Sequence, residues 1–265
     1  MSEREASRHS GDIAIVTGST KGIGAGVARR LAAEGATVVV NGRSADEGES
    51  VAESIREDGG EAVFIEADMR DPAAIASLIE ETTERYGRID VLVNNAGVQT
   101  ETTATEATLE DWEFVVETDF RSFWLCVKHA VESMPEGGAI VNMSSNHAFL
   151  TMPGLFPYNA VKAGINGMTR ALALELGPLG IRVNTINPGW IEIERTREEL
   201  SADDREQVEA MHPLGRIGTP DDVAATVSFL TSDEASFITG ASLLVDGGRS
   251  AVMQDHSFLE YSENL

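Results

Sequence analysis

Three side chains in the segment 144–162, SSNHAFLTMPGLFPYNAVK, are of types that transfer protons. Tyr158 and Lys162 stand four apart in a stretch that reads as helix, YNAVKAGINGMTRALALEL, so both project from one face. Ser145 lies thirteen residues before the tyrosine, at the end of the apolar run Ala139 to Met143, which reads as a buried strand. If that strand end meets that helix, a hydroxyl, a phenol and an ammonium converge. An ammonium beside a phenol favours phenolate and draws the phenol below its reference pKa of about 10. A tyrosine so tuned exchanges a proton with an alcohol or carbonyl near neutral pH. Taken alone, the same spacing also fits a half-buried tyrosine and a solvated lysine, so the surrounding elements decide.

Those elements alternate. Ile13 to Val16 reads as a strand, Thr17-Gly18-Ser19-Thr20-Lys21-Gly22-Ile23-Gly24 as a glycine turn, and AGVARRLAAEG as a helix stopped at Gly35. Glycines in such a turn let backbone approach a ligand, and the amides and dipole of the following helix start suit phosphate. Further strands are read at Ala36 to Val40, Ala62 to Ala67, Asp90 to Val93, Arg182 to Ile186 and Ala241 to Val245. Between them, Ser44 with Glu47, Asp71 before Pro72, Thr108 with Asp111 and Thr219 with Asp222 announce helix starts. The helix from about Leu109 to Met134 carries Trp112, Phe114, Phe120, Phe123 and Trp124, a load that suits one side on the sheet and another on a partner subunit, or a purely intrachain core. Strand–helix alternation throughout predicts one α/β domain: a single doubly wound, Rossmann-like parallel sheet of about seven strands with helices on both faces. The domain is expected over residues 11–250, after a mobile polar tail at 1–10 and before a C-terminal tail at 251–265. Residues 190–212 lack clean periodicity and read as a mobile substrate loop.

The second strand ends in Asn41-Gly42-Arg43, where dinucleotide sites place an acid for ribose hydroxyls or a base for a 2′-phosphate. Arg43, with Lys21 in the turn, points to NADP over NAD, NAD remaining possible. Asp68, with Met69 after it, stands where it meets the adenine edge.

Composition sets further bounds. Asp and Glu number 44 against 20 Lys and Arg, a net charge of −24, and the only lysines are Lys21, Lys128 and Lys162. Self-repulsion on this scale is relieved by molar salt, where the Debye length falls to about 3 Å. The composition resembles that of halophilic proteins. It offers no basic stripe for nucleic acid. The single cysteine, Cys126, sits in an apolar helical context and reads as packing. No apolar run is long enough for a membrane span, and the first residues form no apolar leader, so a cytoplasmic home is expected.

TGSTKGIG at 17–24, NNAG at 94–97, Ser145, YNAVK at 158–162, NPG at 187–189 and VDGG at 245–248 together resemble the short-chain dehydrogenase/reductase family in its compact single-domain branch, over about residues 11–249. The resemblance implies that Tyr158 is the catalytic acid/base, that Lys162 lowers its pKa and binds the nicotinamide ribose, and that Ser145 hydrogen-bonds the substrate oxygen. It implies cofactor contacts at the turn 18–24, at Asn95, Ala96 and Gly97, and at Pro188, Gly189 and Ile191 over the nicotinamide. It also implies a homotetramer built on the two long helices carrying Asp119 and Tyr158, and no metal.

Two positions depart from the family pattern. Asp119 stands where the tetrad's asparagine is usual; ionised near Lys162, it would partly cancel the pull of the cation on Tyr158 and move activity to higher pH, or it is a silent isostere. Glu192 stands where many members carry threonine. A polar rim of Asn146, His147, Trp190, Glu192, Glu194 and Arg195, with His147 and Trp190 as substrate contacts, suits a sugar or polyol. The alternative is a reductase of 3-oxoacyl thioesters or other ketones, for which Arg195, Arg197 and Arg205 are the local candidates for a basic entrance. A scaffold without turnover is disfavoured by the presence of Ser145, Tyr158 and Lys162 together.

Overall fold

The computed structural model describes residues 8–199 and 201–252. Short β-branched runs form the strands β1 (Ile13–Val16), β2 (Thr37–Gly42), β3 (Glu61–Glu66), β4 (Val91–Asn94), β5 (Ala139–Met143), β6 (Arg182–Pro188) and β7 (Ser242–Val245). The helices are α1 (Gly22–Ala33), α2 (Ala45–Glu57), α3 (Pro72–Tyr86), α4 (Leu109–Val115), α5 (Ser122–Ala130), α6 (Tyr158–Leu176), α7 (Glu194–Glu199), α8 (Ala202–Ala210) and α9 (Pro220–Thr231). The strands form one parallel sheet of seven in the order β3-β2-β1-β4-β5-β6-β7. The order reverses between β1 and β4, which opens a crevice at the carboxyl ends of the strands.

Strand alternation distributes the core over both faces. Ala14, Val16, Val38 and Val40 pack with α1 and α9 through Val27, Leu31, Val227 and Leu230. Ile15 and Val39 point the other way, onto Ile75 and Leu78 of α3 and Leu125 of α5. Inside the sheet, Asn94 Nδ2 donates to Asn142 Oδ1 at 2.9 Å, Asn142 Nδ2 to Thr169 Oγ1 at 2.9 Å, and Thr185 Oγ1 to Thr169 at 2.6 Å. This buried chain ties β4, β5, β6 and α6 in one register, with Asn94 Oδ1 left without a partner. Cys126 is fully buried, and burial pushes its thiol up to about 12, in keeping with a packing role.

The structure corrects three expectations. The residues 8–10 belong to the fold. His9 is buried, its Nδ1 is 2.9 Å from Asp12 Oδ2 and its Nε2 is 3.2 Å from Ser228 O, while Arg8 donates to Ser228 Oγ at 3.2 Å and pairs with Glu234 at 3.0 Å. The partner of this cluster is Glu34, fully buried at the end of α1 and pairing with Arg30, a site that local sequence does not mark. Residues 1–7 and 253–265 lie outside the described residues.

The long helix expected over Leu109 to Met134 is divided. A wide π turn over 116–121 separates α4 from α5. Thr118 Oγ1 donates to Phe114 O at 2.7 Å and Ser122 Oγ to Thr118 O, so hydroxyls compete for carbonyls of the helix ladder at this turn. The turn carries Asp119, whose side chain is wholly enclosed.

The segment read as an irregular excursion, 190–212, carries α7 and α8. Ser201 caps α8 by accepting Asp204 N at 3.2 Å, and Glu192 pairs with Arg205 and, at 3.6 Å, with Arg197. These charge contacts supply what the weak apolar periodicity of the segment lacks.

Candidate active site

Helix α6 begins at Tyr158, so Lys162 sits one turn inside it on the same face. Lys162 is buried: Nζ donates to Met143 O at 3.1 Å, lies 2.9 Å from Asp119 Oδ2, and stands 5.3 Å from the centre of the Tyr158 ring. The Asp119 contact is oblique for a hydrogen bond and acts as a charge pair, while Asp119 Oδ1 accepts Val98 N at 2.8 Å. The backbone of Lys162 also accepts Ser144 Oγ at 2.8 Å. The end of β5 is thus bonded to α6 through Met143 and Ser144, which seats the adjoining Ser145 beside the helix start. Ser145 is buried, and its Oγ accepts His147 N at 3.2 Å; the His147 ring lies edge-on to Tyr158 with centres 6.2 Å apart. The four candidate residues therefore belong to one constellation drawn from β5, α6 and the π turn.

Burial draws the Lys162 ammonium down, but the charges of Asp119 and Tyr158 outweigh it, so the lysine is held above its ordinary value and stays protonated. Burial lifts the Asp119 carboxyl above the ordinary range, further than Lys162 and the Val98 N–H pull it back. Burial, with Arg249 nearby, lowers His147, which is neutral at pH 7.

The glycine turn is held rigidly. Ser19 Oγ donates to Val16 O at 2.6 Å and accepts Asn41 N at 3.0 Å, Asn41 Oδ1 accepts Gly18 N at 3.3 Å, and Asn95 Nδ2 donates to Thr17 O and Gly18 O at 2.9 Å each. Ser19 is fully buried, so its expected place among the cofactor contacts becomes one of fixing the turn. Asn41 shares that task and was not singled out in the sequence; a polar residue inside the apolar run VVVN was the available signal.

Helix α1 opens at Gly22 and has no side-chain cap, whereas α2, α3, α4 and α9 are each capped by Ser44, Asp71, Thr108 and Thr219. The uncapped amides after Gly22, with Lys21 exposed beside them, fit an anionic phosphate. Thr20 packs against Gly42 so closely that a Cβ there would lie 2.3 Å from its methyl, which brings the turn to the end of β2 and to Arg43. Arg43 is exposed and, among the described residues, has no carboxylate within ion-pair distance; nor has Lys21. Asp68 follows β3, its Oδ1 accepting Arg70 N at 2.9 Å, and Met69 is buried.

The motifs at 187–189 and 245–248 meet. Gly189 N donates to Val245 O at 3.0 Å, and a Cβ on Gly189 would lie 2.5 Å from Asp246 Cβ, so only glycine admits this approach of β6 to β7. Beyond it, Trp190 O accepts Gly218 N at 3.0 Å and Glu192 N donates to Gly218 O at 2.8 Å, with Ile191 buried between. Of the rim predicted for a polar ligand, Asn146 is buried and Glu192 is engaged with Arg205 and Arg197. The Arg195 side chain lies outside the described residues. His147 Nδ1 and Trp190 Nε1 are buried without a partner. Arg249 was missed by the sequence reading; its place directly after VDGG was the only signal.

A seven-stranded parallel sheet with an uncapped glycine turn at its switch point and a tyrosine–lysine–serine constellation at the ends of β5 and α6 defines a single-domain nucleotide-linked oxidoreductase fold. The chain belongs to the short-chain dehydrogenase/reductase family. A family model described as enoyl-(acyl carrier protein) reductase matches residues 18–250. An uncharacterised oxidoreductase of Thermotoga maritima is 38% identical over 92% of this chain and 97% of its own length. The 3-oxoacyl-(acyl carrier protein) reductase of Staphylococcus aureus is 38% identical over 89% and 96%. A short-chain dehydrogenase of Burkholderia cenocepacia, solved in complex with NADP, is 34% identical with a TM-score of 0.86, over 92% of this chain and all of that one. Among the described residues no helix is long and apolar enough to cross a membrane.

Proposed function

We propose that this protein is an NADP-preferring oxidoreductase that moves a hydride between nicotinamide and a hydroxyl or carbonyl carbon of a polar small molecule, of the sugar or polyol class. Bound NADP would supply and accept the hydride. Gly18 to Gly24 and the start of α1 hold the pyrophosphate, Arg43 and Lys21 the 2′-phosphate, Asn95 to Gly97 and Asp68–Met69 flank the nucleoside, and Pro188 to Ile191 cover the nicotinamide. In oxidation Tyr158 takes the hydroxyl proton while hydride leaves the same carbon; in reduction it returns the proton to the carbonyl oxygen. Ser145 donates a hydrogen bond to that oxygen, and Lys162 holds a positive charge 5.3 Å from the tyrosine ring.

The carrying observation is that Lys162 is fixed under Tyr158 by Met143 O and Asp119 while both Ser144 and Lys162 bond β5 to α6. The polar substrate class is supported by the buried, unpartnered nitrogens of His147 and Trp190, which favour ligands offering matching groups. The second reading, reduction of 3-oxoacyl thioesters, draws on the Staphylococcus relative; the expected basic entrance is weakened here because Glu192 engages both Arg197 and Arg205. Exposed Trp124 on α5 and Leu174 on α6 support assembly through these helices as a homotetramer.

The test is reduced-nicotinamide absorbance in molar salt with NADP and NAD against aldoses, polyols, secondary alcohols and an oxoacyl thioester. Turnover of a sugar with NADP preferred, and its loss by at least about a thousandfold in Tyr158→Phe, is the expected result. Thioester reduction alone would replace the substrate class, and full activity in Tyr158→Phe would remove the mechanism.

A further inference from the structure

Next to the Tyr158 centre the C-terminal turn presents a cation that the proton transfer leaves unused. Arg249 lies over the Trp190 ring, its guanidinium carbon 5.9 Å from the ring centre, and its charge reaches His147, whose own ring adjoins Tyr158. Arg249 is half-buried, and among the described residues no carboxylate lies within ion-pair distance of it. Asp246, three positions earlier, is the acid whose charge acts on it, but both oxygens of Asp246 are occupied, Oδ1 by Gly248 N at 3.0 Å and Oδ2 by Ser250 N at 2.8 Å. These bonds shape the turn that carries Arg249, and the Asp246 charge acts on Arg249 from beyond ion-pair distance.

On the neighbouring helices Arg197 and Arg205 are matched by Glu192, whereas among the described residues Arg249 has no such partner. Beside it the indole Nε1 of Trp190 is a buried donor without an acceptor. A guanidinium and an indole N–H call for an anion with planar acceptor geometry, and the long-range repulsion of this acidic surface makes a local cation necessary for holding one. We infer that Arg249 and Trp190 receive a carboxylate of the substrate, so that the hydroxyl compound oxidised at Tyr158 is a hydroxy acid. This rests on the oxidoreductase reading above and narrows it from neutral polyols to hydroxyl-bearing carboxylates.

The experiment pairs gluconate and 3-hydroxybutyrate with their methyl esters in the NADP assay, at the lowest salt that keeps the protein folded. At least one acid is expected to exceed its ester in kcat/KM by about a hundredfold. Arg249→Gln brings that ratio close to one, Arg249→Lys keeps part of it, and Arg85→Gln, on the exposed face of α3, leaves it in place. Esters or neutral polyols turned over as well as the acids, or a ratio unmoved by Arg249→Gln, would overturn the inference while leaving the oxidoreductase intact. If no hydroxyl compound is turned over, 3-hydroxybutyrate is titrated against tryptophan fluorescence. Saturable binding that Arg249→Gln abolishes keeps the carboxylate site and refutes the oxidoreductase reading; no saturable binding refutes the site as well.

Discussion

Asp119 Oδ2 lies 2.9 Å from Lys162 Nζ, and the two side chains are only 0% and 4% exposed. With an acid at the position where the family's asparagine is usual, the protonated lysine is here one half of a buried ion pair. Its field at the Tyr158 ring is that of a dipole, weaker than that of a lone cation. Replacing Asp119 by Asn keeps an acceptor for Val98 N–H and removes the opposing charge. The pH of half-maximal kcat/KM is then expected to fall by about one unit, because a less opposed ammonium favours the ionised phenol. The measurement is the full pH–rate profile of both forms; superimposable profiles would make Asp119 a silent isostere.

The same pair explains a glycine. A Cβ on Gly97 would lie 2.9 Å from Asp119 Oδ2 and 3.4 Å from Lys162 Nζ, and Asp119 is held from its other oxygen by Val98 N. Gly97→Ala therefore pushes the carboxylate away from the lysine. A fall in kcat of about tenfold or more, with a displaced pH profile and a melting temperature changed by only a few degrees, is expected. An unchanged kcat would show that the pair tolerates the displacement.

Arg43 and Lys21 are the two exposed cations at the dinucleotide turn, and no acid stands at the end of β2 to hold ribose hydroxyls. Arg43→Asp is expected to lower the ratio of kcat/KM for NADP over NAD by about a hundredfold or more, through loss of a charged contact and gain of a repulsive one. A ratio that stays put would move 2′-phosphate recognition to other residues.

With 44 acids against 20 bases, self-repulsion opposes the compact state. Raising potassium chloride from tenth-molar to molar range shortens the Debye length from about 10 Å to about 3 Å, and the melting temperature is expected to climb by roughly 10 °C. The buried pair of His9 and Glu34 is shielded from that screening, so a variant such as Glu34→Gln should lower the melting temperature at both salt levels. Insensitivity of the wild type to salt would contradict the resemblance to halophilic proteins.

Much of this was legible in the sequence because it depends on near neighbours. Strand alternation, helix caps at Ser44, Asp71, Thr108 and Thr219, and the four-residue spacing of Tyr158 and Lys162 are set within one or two turns of chain, and the structure carries them. Strand ends moved by a residue or two because ladder pairing across the sheet, and not local preference, terminates them.

What the sequence left open is which distant charges and donors meet. That His9 closes onto Glu34 and Ser228, and that Arg249 covers Trp190, are pairings across the fold. Periodicity assigns a residue to a face but cannot say which partner the opposing face brings. Sequence alone pointed to the sheet, the turn and the candidate site residues; tertiary structure decided that the lysine is paired with Asp119 and that, among the described residues, Arg249 has no carboxylate within ion-pair distance, because electrostatic pairing is settled by distances that only packing creates.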